Sequence, residues 1–555
     1  MDYNKLADIL FPDVTKAPAD YDAVYPQRDL PPEAMVTRLG PSPTGFIHLG
    51  NLYGAFVDER LAHQSGGTFY LRIEDTDDKR YVEGAVKTII DSLDFFDIHF
   101  DEGATLEGDK GAYGPYSQSE RGEIYKCFVK DLVKKGFAYP CFMTEDEIAA
   151  VRQEQEANKL TPGIYGKYAR CRDLSIEDVE ANITAGKPYV IRLRSTGNHD
   201  LPPEKIRQIQ VNDAIRGKLS MPENMQDIVI LKTTGIPTYH FAHVIDDHFM
   251  RTTHVVRGEE WLSSLPIHIE LFEKLGFEPP VYCHTAQLMK LDENGNKRKL
   301  SKRKDPELSL DYYKETGYHP AAVREYLLTI LNSNYEEWRK DNPDVPADDF
   351  PFSLKKMSNS GALFDLDKLS DVSKDTLVKI PAPELYTFLL DWTKEFRPEL
   401  TDMISDNQDM VTAALDIGRS GNKPRKDLVC ASQMFDFISF FFDDFFEVKD
   451  ELPEQVTPAD CKEILARYLD TYDHADDQSA WFDKIRVIAT DLGYAAKPKD
   501  YKKNPDDFKG HVGHVSTAVR LALTGKTQSP DIWEIQQILG EEKTRARVNA
   551  YAATM

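Results

Sequence analysis

Two segments far apart in the chain carry residues suited to holding a polyphosphate. The first runs from Arg38 to Asn51 as RLGPSPTGFIHLGN, after a short apolar run and at the start of a helical pattern. A glycine at a helix N-terminus offers backbone donors and the positive end of the helix dipole to phosphate oxygens. Gly45 and Gly50 meet this demand, and His48 can donate a hydrogen bond to a phosphate. A common turn followed by a surface helix would explain the same residues.

The second segment, Lys299 to Arg303, reads KLSKR and follows a Gly- and Lys-rich loop that starts at Asp292. Lysines on a flexible loop can close on a triphosphate and stabilise the charge that grows on departing pyrophosphate. Lys299 and Lys302, which flank Ser301, would supply these charges. Taken alone, the segment is more typical of a solvated basic loop or a localisation signal.

Three charged residues lie where predicted strands end. Ligand contacts gather at this edge of an open parallel sheet, so the carboxylate of Glu74 could hold a substrate ammonium group. Arg38 and Arg257 suit a substrate with two carboxylates, because each guanidinium can pair bidentately with one. A solvated acidic turn and ordinary surface arginines are the alternatives.

The run from Tyr239 to His248, YHFAHVIDDH, raises the possibility of a metal site. His243 and Asp247 share one helix face, and His240 lies one turn before them. No HExxH pattern or set of cysteines accompanies them. The sequence therefore favours packing and substrate contact, and we expect no metal ligands here.

The elements that must position these residues follow a strand, loop, helix, strand order. Apolar patterns predict a strand over 34–39, a helix over 47–64 and a strand over 68–73, which indicates a parallel nucleotide-binding sheet. Residues 139–225 change to charged helical runs and alternating strand-like pieces, as in an insertion. A buried strand pattern resumes over 227–231, and a further strand is predicted over 253–257. One helical turn is predicted over residues 6–11, and from about residue 385 the pattern is mainly helical.

Length and composition restrict the class of protein. A chain of 555 residues is too long for one core, so several domains are expected. The net charge of −25 argues against a uniformly basic nucleic-acid surface, although a local basic groove remains open. Six scattered cysteines indicate free thiols in a reducing compartment. The expected location is therefore the cytoplasm. No apolar stretch approaches the roughly 18 residues that span a bilayer, so we expect no membrane partner.

Taken together, these segments resemble the bacterial-type glutamyl-tRNA synthetases, which are class I aminoacyl-tRNA synthetases. Residues 37–45 resemble the glutamate-binding loop of that family, and residues 48–51 resemble its "HIGH" motif, with Asn51 in place of the second histidine. Residues 299–303 resemble its "KMSKS" loop. The match is collinear from about Met35 to the C-terminus. Further similar blocks are residues 72–77, 113–121, 237–240, 256–261 and 519–525.

The resemblance implies an α/β fold, with a class I Rossmann-like catalytic domain that carries an α+β insertion and is followed by an all-helical anticodon-binding region. The expected parts are an N-terminal extension (1–34), the first half of the catalytic domain (35–138), an inserted acceptor-stem-binding domain (139–225), the second half of the catalytic domain (226–310), a stem-contact helical region (311–380) and a helical anticodon-binding domain (381–555).

The same resemblance assigns roles to individual residues. The expected glutamate contacts are Arg38, Ser42, Glu74, Tyr239, His243 and Arg257. The expected ATP contacts are His48, Gly50, Glu260, Lys299, Ser301, Lys302 and Arg303. Of these, His48 and Lys302 are the expected catalytic residues. His243 stands at a position where some relatives carry asparagine.

The implied activity is ATP-dependent attachment of L-glutamate to the 3′ end of tRNA(Glu) through a glutamyl-adenylate intermediate, with Mg²⁺ accompanying ATP. The alternatives are an enzyme that also glutamylates tRNA(Gln), or a glutaminyl-tRNA synthetase. We expect a monomer, with basic stretches over 419–426 and 497–503 as candidate phosphate contacts.

Some relatives hold zinc in the insertion through three cysteines and a tyrosine. At the corresponding positions this chain has only two cysteines, Cys141 and Cys171, together with Met143 and Lys167. Two soft ligands do not complete a tetrahedral site. The sequence therefore predicts no structural zinc.

Overall fold

The computed structural model describes residues 1–77, 82–199, 201–420 and 423–555, and the chain forms two compact units. The first unit comprises Met1–Tyr312 and Leu327–Asp365, and the second comprises Tyr313–Tyr326 and Leu366–Met555. Across the described ranges, no helix combines the length and the apolar character needed to cross a bilayer.

The elements are numbered in chain order. The helices are α1 (Tyr3–Leu10), α2 (Pro18–Val24), α3 (Leu49–Gln64), α4 (Ala85–Phe95), α5 (Gly122–Lys134), α6 (Glu145–Ala157), α7 (Ile176–Thr184), α8 (Tyr239–Phe249), α9 (Leu265–Leu275), α10 (Leu310–Thr316), α11 (Pro320–Leu331), α12 (Tyr335–Asp341), α13 (Leu366–Leu377), α14 (Ala382–Phe396), α15 (Pro398–Asp406), α16 (Gln408–Asp416), α17 (Ala431–Ile438), α18 (Pro458–Thr471), α19 (Gln478–Asp491), α20 (Pro498–Lys503), α21 (Val512–Thr524), α22 (Ile532–Leu539) and α23 (Glu541–Ala552).

The strands all belong to the first unit. They are β1 (Val36–Leu39), β2 (Thr68–Leu71), β3 (Glu102–Thr105), β4 (Gly108–Lys110), β5 (Ala138–Cys141), β6 (Val190–Leu193), β7 (Gln208–Asp213), β8 (Gly217–Pro222), β9 (Val229–Leu231), β10 (His254–Gly258), β11 (Val281–Thr285), β12 (Leu288–Leu291), β13 (Lys297–Lys299) and β14 (Ala362–Leu363).

The centre of the first unit is the predicted parallel sheet. β1 pairs in parallel with β2, and β2 with β3, while β10 pairs in parallel with β11. The amide of Thr253, just before β10, donates to the carbonyl of Val36 at 3.0 Å and brings the two parts together. β1 and β2 are buried along their whole length, as their apolar sequences predict. Because β1 has β2 on one side and β10 on the other, the loops after β1 and β10 open into one crevice.

The N-terminal extension is more ordered than the sequence indicated. One helical turn was predicted, but 1–34 forms α1 and α2, and Leu6, Leu10 and Tyr21 join the main hydrophobic core beside α5. The ammonium of Lys130 on α5 donates to the carbonyl of Phe11 at 3.0 Å. The extension therefore folds as part of the first unit.

The insertion packs as an α+β segment, as predicted. β5, β6 and β9 form an antiparallel sheet, with α6 and α7 in the intervening chain. β7 and β8 form a separate antiparallel hairpin that pairs Gln208 with Pro222 and Asp213 with Gly217. The hairpin turn thus falls directly after Asp213, and this position matters for the site described below.

In the part of the second unit that the structure describes, every regular element is a helix, as the sequence predicted. α21 ends at Gly525, whose φ of +71° suits a glycine at a helix C-terminus. In the first basic stretch, residues 421–422 lie outside the described ranges, and Arg419 donates to the carbonyl of Leu377 at 2.7 Å. The guanidinium of Arg425 lies 4.0 Å from the Phe437 ring centre. Both arginines therefore contribute to the fold itself.

Candidate active site

A cavity of about 520 Å³ opens in the crevice after β1 and β10, within the first unit. It brings together side chains from the two loop motifs, the ends of three parallel strands and α8. Its lining includes Arg38, His48, Gly50, Asp58, Glu74, Tyr239, Arg257, Glu260, Trp261, Lys299 and Lys302.

One end of the cavity is lined by ion-paired charges. Arg38 at the end of β1 is buried, and its Nε lies 3.4 Å from the carboxylate of Asp247 on α8. Glu74, just after β2, accepts a hydrogen bond from Arg72 at 2.9 Å. Gly40 permits this arrangement, because a Cβ at that position would lie 2.4 Å from a Glu74 oxygen. A guanidinium and a carboxylate are thereby held ready for a ligand that carries both charges.

Asp247 lies behind the ion-paired end of the cavity and holds its charged side chains in place. It was not identified from the sequence as a site residue. Its carboxylate accepts from Arg72 at 2.6 Å and lies 2.6 Å from Nδ1 of His243. Burial opposes its ionisation, but Arg72 and Arg38 outweigh burial and hold the pKa of Asp247 well below its usual value. Burial lowers the pKa of His243 to about 3, so its imidazole is neutral. The i,i+4 spacing of His243 and Asp247 was the one available signal.

Arg257, at the end of β10, is held on two sides by imidazoles. Its Nε donates to Nε2 of His284 at 3.0 Å, and its Nη1 lies 3.1 Å from Nδ1 of His268. Its Nη2 is buried and has no hydrogen-bond partner among the described residues. The NH₂ group at Nη2 of Arg257 therefore remains for an acceptor that enters the cavity. Neither histidine was identified from the sequence, where His284 lies in a strand and His268 on a helix without a motif.

The "HIGH"-like segment forms the other end of the cavity. His48 caps α3, and its amide donates to Oδ1 of Asn51 at 3.1 Å. Asn51, which replaces the second motif histidine, therefore serves as a capping residue. Burial, together with the nearby charge of Lys302, lowers the pKa of His48 to about 4. A Cβ on Gly50 would lie 2.9 Å from Nδ1 of His48, so this glycine leaves the ring its space.

The lysine loop is anchored by a carboxylate that the sequence did not indicate. Asp305 accepts two hydrogen bonds from Arg298, at 2.6 and 2.7 Å, and one from the Ser301 amide at 2.8 Å. These contacts fix the loop that follows the β12–β13 hairpin. Lys299 and Lys302 themselves are exposed and line the cavity.

Not every predicted site residue lines the cavity. Ser42 and Arg303 are exposed outside it, and Ser301 faces Asp305 at the base of the loop. His243 is fully buried behind Tyr239, with ring centres 5.7 Å apart. The remaining predicted residues are lining residues. They are Arg38, His48, Gly50, Glu74, Tyr239, Arg257, Glu260, Lys299 and Lys302.

Among the described side chains, no three His, Cys, Asp or Glu residues converge as a metal site would require. Cys141 and Cys171 lie together in a small buried cluster, and a hydrogen bond from Cys171 lowers the pKa of Cys141. Lys167 pairs with Glu154 at 3.1 Å. The absence of structural zinc stays a prediction.

Comparisons with known proteins agree with this geometry. Residues 34–341 match the family model for the catalytic domain of class I tRNA synthetases (E and Q), and residues 424–552 match an anticodon-binding domain. The chain is 62% identical over 549 residues to a glutamate–tRNA ligase of Acetivibrio thermocellus, with 99% of each chain covered. It is 50% identical to one from Clostridium perfringens, over 99% of this chain and 100% of the relative.

A solved structure is also similar over most of the chain. A glutamate tRNA ligase from Elizabethkingia meningosepticum, crystallised in complex with its amino acid, superposes with a TM-score of 0.73 at 28% identity. The match covers 94% of this chain and 100% of that one.

Proposed function

Because the chain belongs to the glutamate–tRNA ligase family of class I tRNA synthetases, we propose that it attaches L-glutamate to the 3′ end of tRNA(Glu) in two steps. First, the glutamate α-carboxylate attacks the α-phosphate of ATP, giving glutamyl-adenylate and pyrophosphate. Then the 2′-hydroxyl of the terminal adenosine attacks the activated carbonyl, and AMP leaves. The observation that supports this most directly is that an ion-paired end and a lysine- and histidine-lined end belong to one cavity.

Glutamate occupies the ion-paired end in this proposal. Glu74 receives the α-ammonium group, and burial of its carboxylate strengthens that attraction. Arg38 and Arg257 receive the carboxylates, with Nη2 of Arg257 as the available donor. Tyr239, packed on Trp261 with ring centres 4.5 Å apart, forms an apolar wall. Ser42 remains a candidate contact, and the position of His243 suggests that it acts through Tyr239.

ATP occupies the other end, with its phosphates toward α3 and the lysine loop. The N-terminus of α3 presents backbone donors beside Gly50, and neutral His48 can donate to a phosphate oxygen. Lys299 and Lys302 supply positive charge where pyrophosphate departs, which is the step that needs charge stabilisation. Glu260 also lines this end. Neither step requires a protein nucleophile, so positioning and charge account for catalysis.

Mg²⁺ enters this scheme as part of the MgATP substrate. In the described ranges the chain offers no converging set of acidic ligands, and Mg²⁺ is commonly held by nucleotide phosphates with one or two carboxylates. Glu260 is the lining carboxylate that this proposal places at the ATP end of the cavity. We therefore derive no protein step from the ion.

The remaining parts of the chain serve the tRNA in this proposal. Residues 139–225 bind the acceptor end, residues 311–380 contact the stem, and residues 381–555 bind the anticodon, which the match over 424–552 supports. The lysine-rich segment around α20 is a candidate phosphate contact, because its lysines are exposed.

A charging assay tests the proposal. Purified protein, ATP and radiolabelled glutamate are incubated with tRNA(Glu) or with tRNA(Gln), and label in precipitated tRNA is counted. We expect label in tRNA(Glu) that depends on ATP, and the tRNA(Gln) arm decides whether that tRNA is also a substrate. In a parallel incubation with labelled glutamine the tRNA should stay unlabelled, and transfer of that label in place of glutamate would contradict the proposal.

A further inference from the structure

The imidazole of His284 is hydrogen-bonded at both ring nitrogens, and its two partners differ in kind. Nδ1 lies 2.7 Å from Oδ2 of Asp213, and Nε2 accepts from Nε of Arg257 at 3.0 Å. Asp213, His284 and Arg257 are all buried, with 3%, 0% and 7% exposure. His284 and Arg257 are direct register partners on β11 and β10, so the sheet itself sets their separation.

Asp213 determines which nitrogen of His284 carries the proton. Burial opposes ionisation of Asp213, but hydrogen bonds from His284 and from the Arg216 amide outweigh it and keep the pKa of Asp213 below its usual value. An ionised carboxylate only accepts, so the proton of neutral His284 resides on Nδ1 and faces Asp213. Nε2 is left with a lone pair directed at Arg257. The imidazole is neutral because burial lowers the pKa of His284.

A second imidazole restrains the same guanidinium. Nδ1 of His268 faces Arg257 at 3.1 Å, and its Nε2 lies 2.9 Å from Nδ1 of His240. Because arginine only donates, Nδ1 of His268 accepts and its Nε2 carries the proton. The ring of Tyr282 covers the guanidinium at 4.7 Å. Two of the three guanidinium nitrogens are therefore committed to imidazole acceptors, and Nη2 is the one left over.

We propose that Asp213 and His284 are positioning residues for glutamate recognition, which fix the Arg257 guanidinium so that Nη2 meets a substrate carboxylate. This inference rests on the proposed function, since it takes Arg257 as a glutamate contact. Asp213 belongs to the β7–β8 hairpin of the insertion, far in sequence from every motif of the site. Its Oδ1 also accepts from the amides of Ile215 and Arg216 at 2.9 and 2.8 Å, so the same carboxylate closes the hairpin turn.

The test is Asp213→Asn, measured by tRNA-dependent pyrophosphate exchange. The amide can still close the turn through its oxygen, but its NH₂ group donates toward Nδ1 of His284 and forces the proton onto Nε2. Arg257 then faces a donor. We expect the KM for glutamate to rise at least about 10-fold, as for one lost charge-assisted hydrogen bond, with the KM for ATP within about 2-fold. Gln210→Ala, an exposed change on the same hairpin, is the control and should change neither KM.

A double-mutant cycle distinguishes this inference from the proposed function. If Asp213 acts through Arg257, then Asp213→Asn should add less than about 2-fold to the glutamate KM of Arg257→Ala. If Arg257→Ala alone leaves the glutamate KM unchanged, the assignment of Arg257 fails. If Arg257→Ala raises the glutamate KM, three results for Asp213→Asn would overturn the positioning role alone. Asp213→Asn could leave the glutamate KM unchanged, it could raise the KM values for glutamate and ATP equally, or it could add its full effect in the double variant.

A second pair of variants, at His284, separates the positioning role from a general loss of folding. In His284→Gln the side-chain oxygen can still accept a hydrogen bond from Arg257, whereas the side chain in His284→Leu has no acceptor. We expect the glutamine variant to retain most of its affinity for glutamate and the leucine variant to match Asp213→Asn. Equal loss in both variants, with circular dichroism unchanged, would overturn the proposal.

Discussion

The ammonium of Lys302 lies 3.6 Å from the centre of the Phe46 ring. Lys302 follows β13, and Phe46 precedes α3, so the contact joins the two segments that the sequence marked as phosphate-binding. A cation–π contact at an exposed site contributes only about 0.5–1 kcal/mol. The ammonium is therefore held beside the phosphate end of the cavity and can exchange the ring for a phosphate at small cost.

Replacing Lys302 by alanine tests the charge that this residue supplies. We expect Lys302→Ala to slow pyrophosphate exchange by about 100-fold or more, because a charge aimed at the departing group is lost, while affinity for tRNA stays unchanged. Lys304→Ala is the matched control, since Lys304 is an exposed lysine that does not line the cavity. Equal rates for Lys302→Ala and wild type would refute the role.

Asp305 should matter for ATP although it touches no part of the cavity. Asp305→Asn removes the charge that holds Arg298, so we expect a rise of several-fold in the KM for ATP with little change in the KM for glutamate.

Arg298 lowers the pKa of Asp305 to about 2, below its unfolded value near 4. The ionised Asp305 therefore stabilises the folded state fully above about pH 4, and this contribution is lost as the pH falls toward 2. The urea midpoints of Asp305→Asn and wild type should differ at neutral pH and converge in acid. A difference that stays constant with pH would contradict the stabilising role of Asp305.

The pH dependence of ATP use should carry no contribution from His48. Its folded pKa of about 4 lies below the unfolded value near 6.5, so the ring is neutral in the folded enzyme at physiological pH. Protonation disfavours the fold only as pH falls from about 6.5 toward 4. We expect the ratio of kcat/KM for ATP between His48→Asn and wild type to stay constant from about pH 6 to 8. A ratio that changes several-fold near pH 6.5 would show that His48 titrates there.

The N-terminal extension should contribute to the stability of the catalytic unit. Leu6 is 1% exposed in the main core, so Leu6→Ala should lower the free energy of unfolding by about 2–5 kcal/mol. Lys5→Ala is the control, because the Lys5–Glu180 pair at 3.2 Å is about half exposed and is worth less than about 1 kcal/mol. Denaturant midpoints followed by circular dichroism measure both, and equal midpoints would place the extension outside the folded unit.

Sequence patterns predicted those parts of the fold where periodicity was strong. α3 begins at Leu49 and ends at Gln64, close to the predicted 47–64, because its apolar spacing and the glycines after it are unambiguous. β3 and β4 were not predicted, since EGAT and GDK carry almost no apolar pattern and gain their pairing from neighbouring strands. The N-terminal extension was underestimated because its apolar residues are few and their burial depends on α5.

The site was predictable to the extent that residues touching a substrate belong to motifs. Arg257 was found at its strand end. Its partners His268 and His284, and Asp213 behind His284, come from a helix, a strand and an insertion hairpin with no shared spacing. Their convergence depends on tertiary packing, which local patterns do not encode. Asp305 was missed for the same reason, because it reads as one more acid after a basic run.

The close approach of Gly40 to the Glu74 carboxylate limits which variants of this pocket can exist. Even alanine would add a carbon where that carboxylate now lies. The buried Glu74 carboxylate could move aside only by giving up its hydrogen bond from Arg72. Attempts to reshape the pocket for other amino acids by randomising its lining should therefore leave residue 40 fixed, because its missing side chain is the space that the acid occupies.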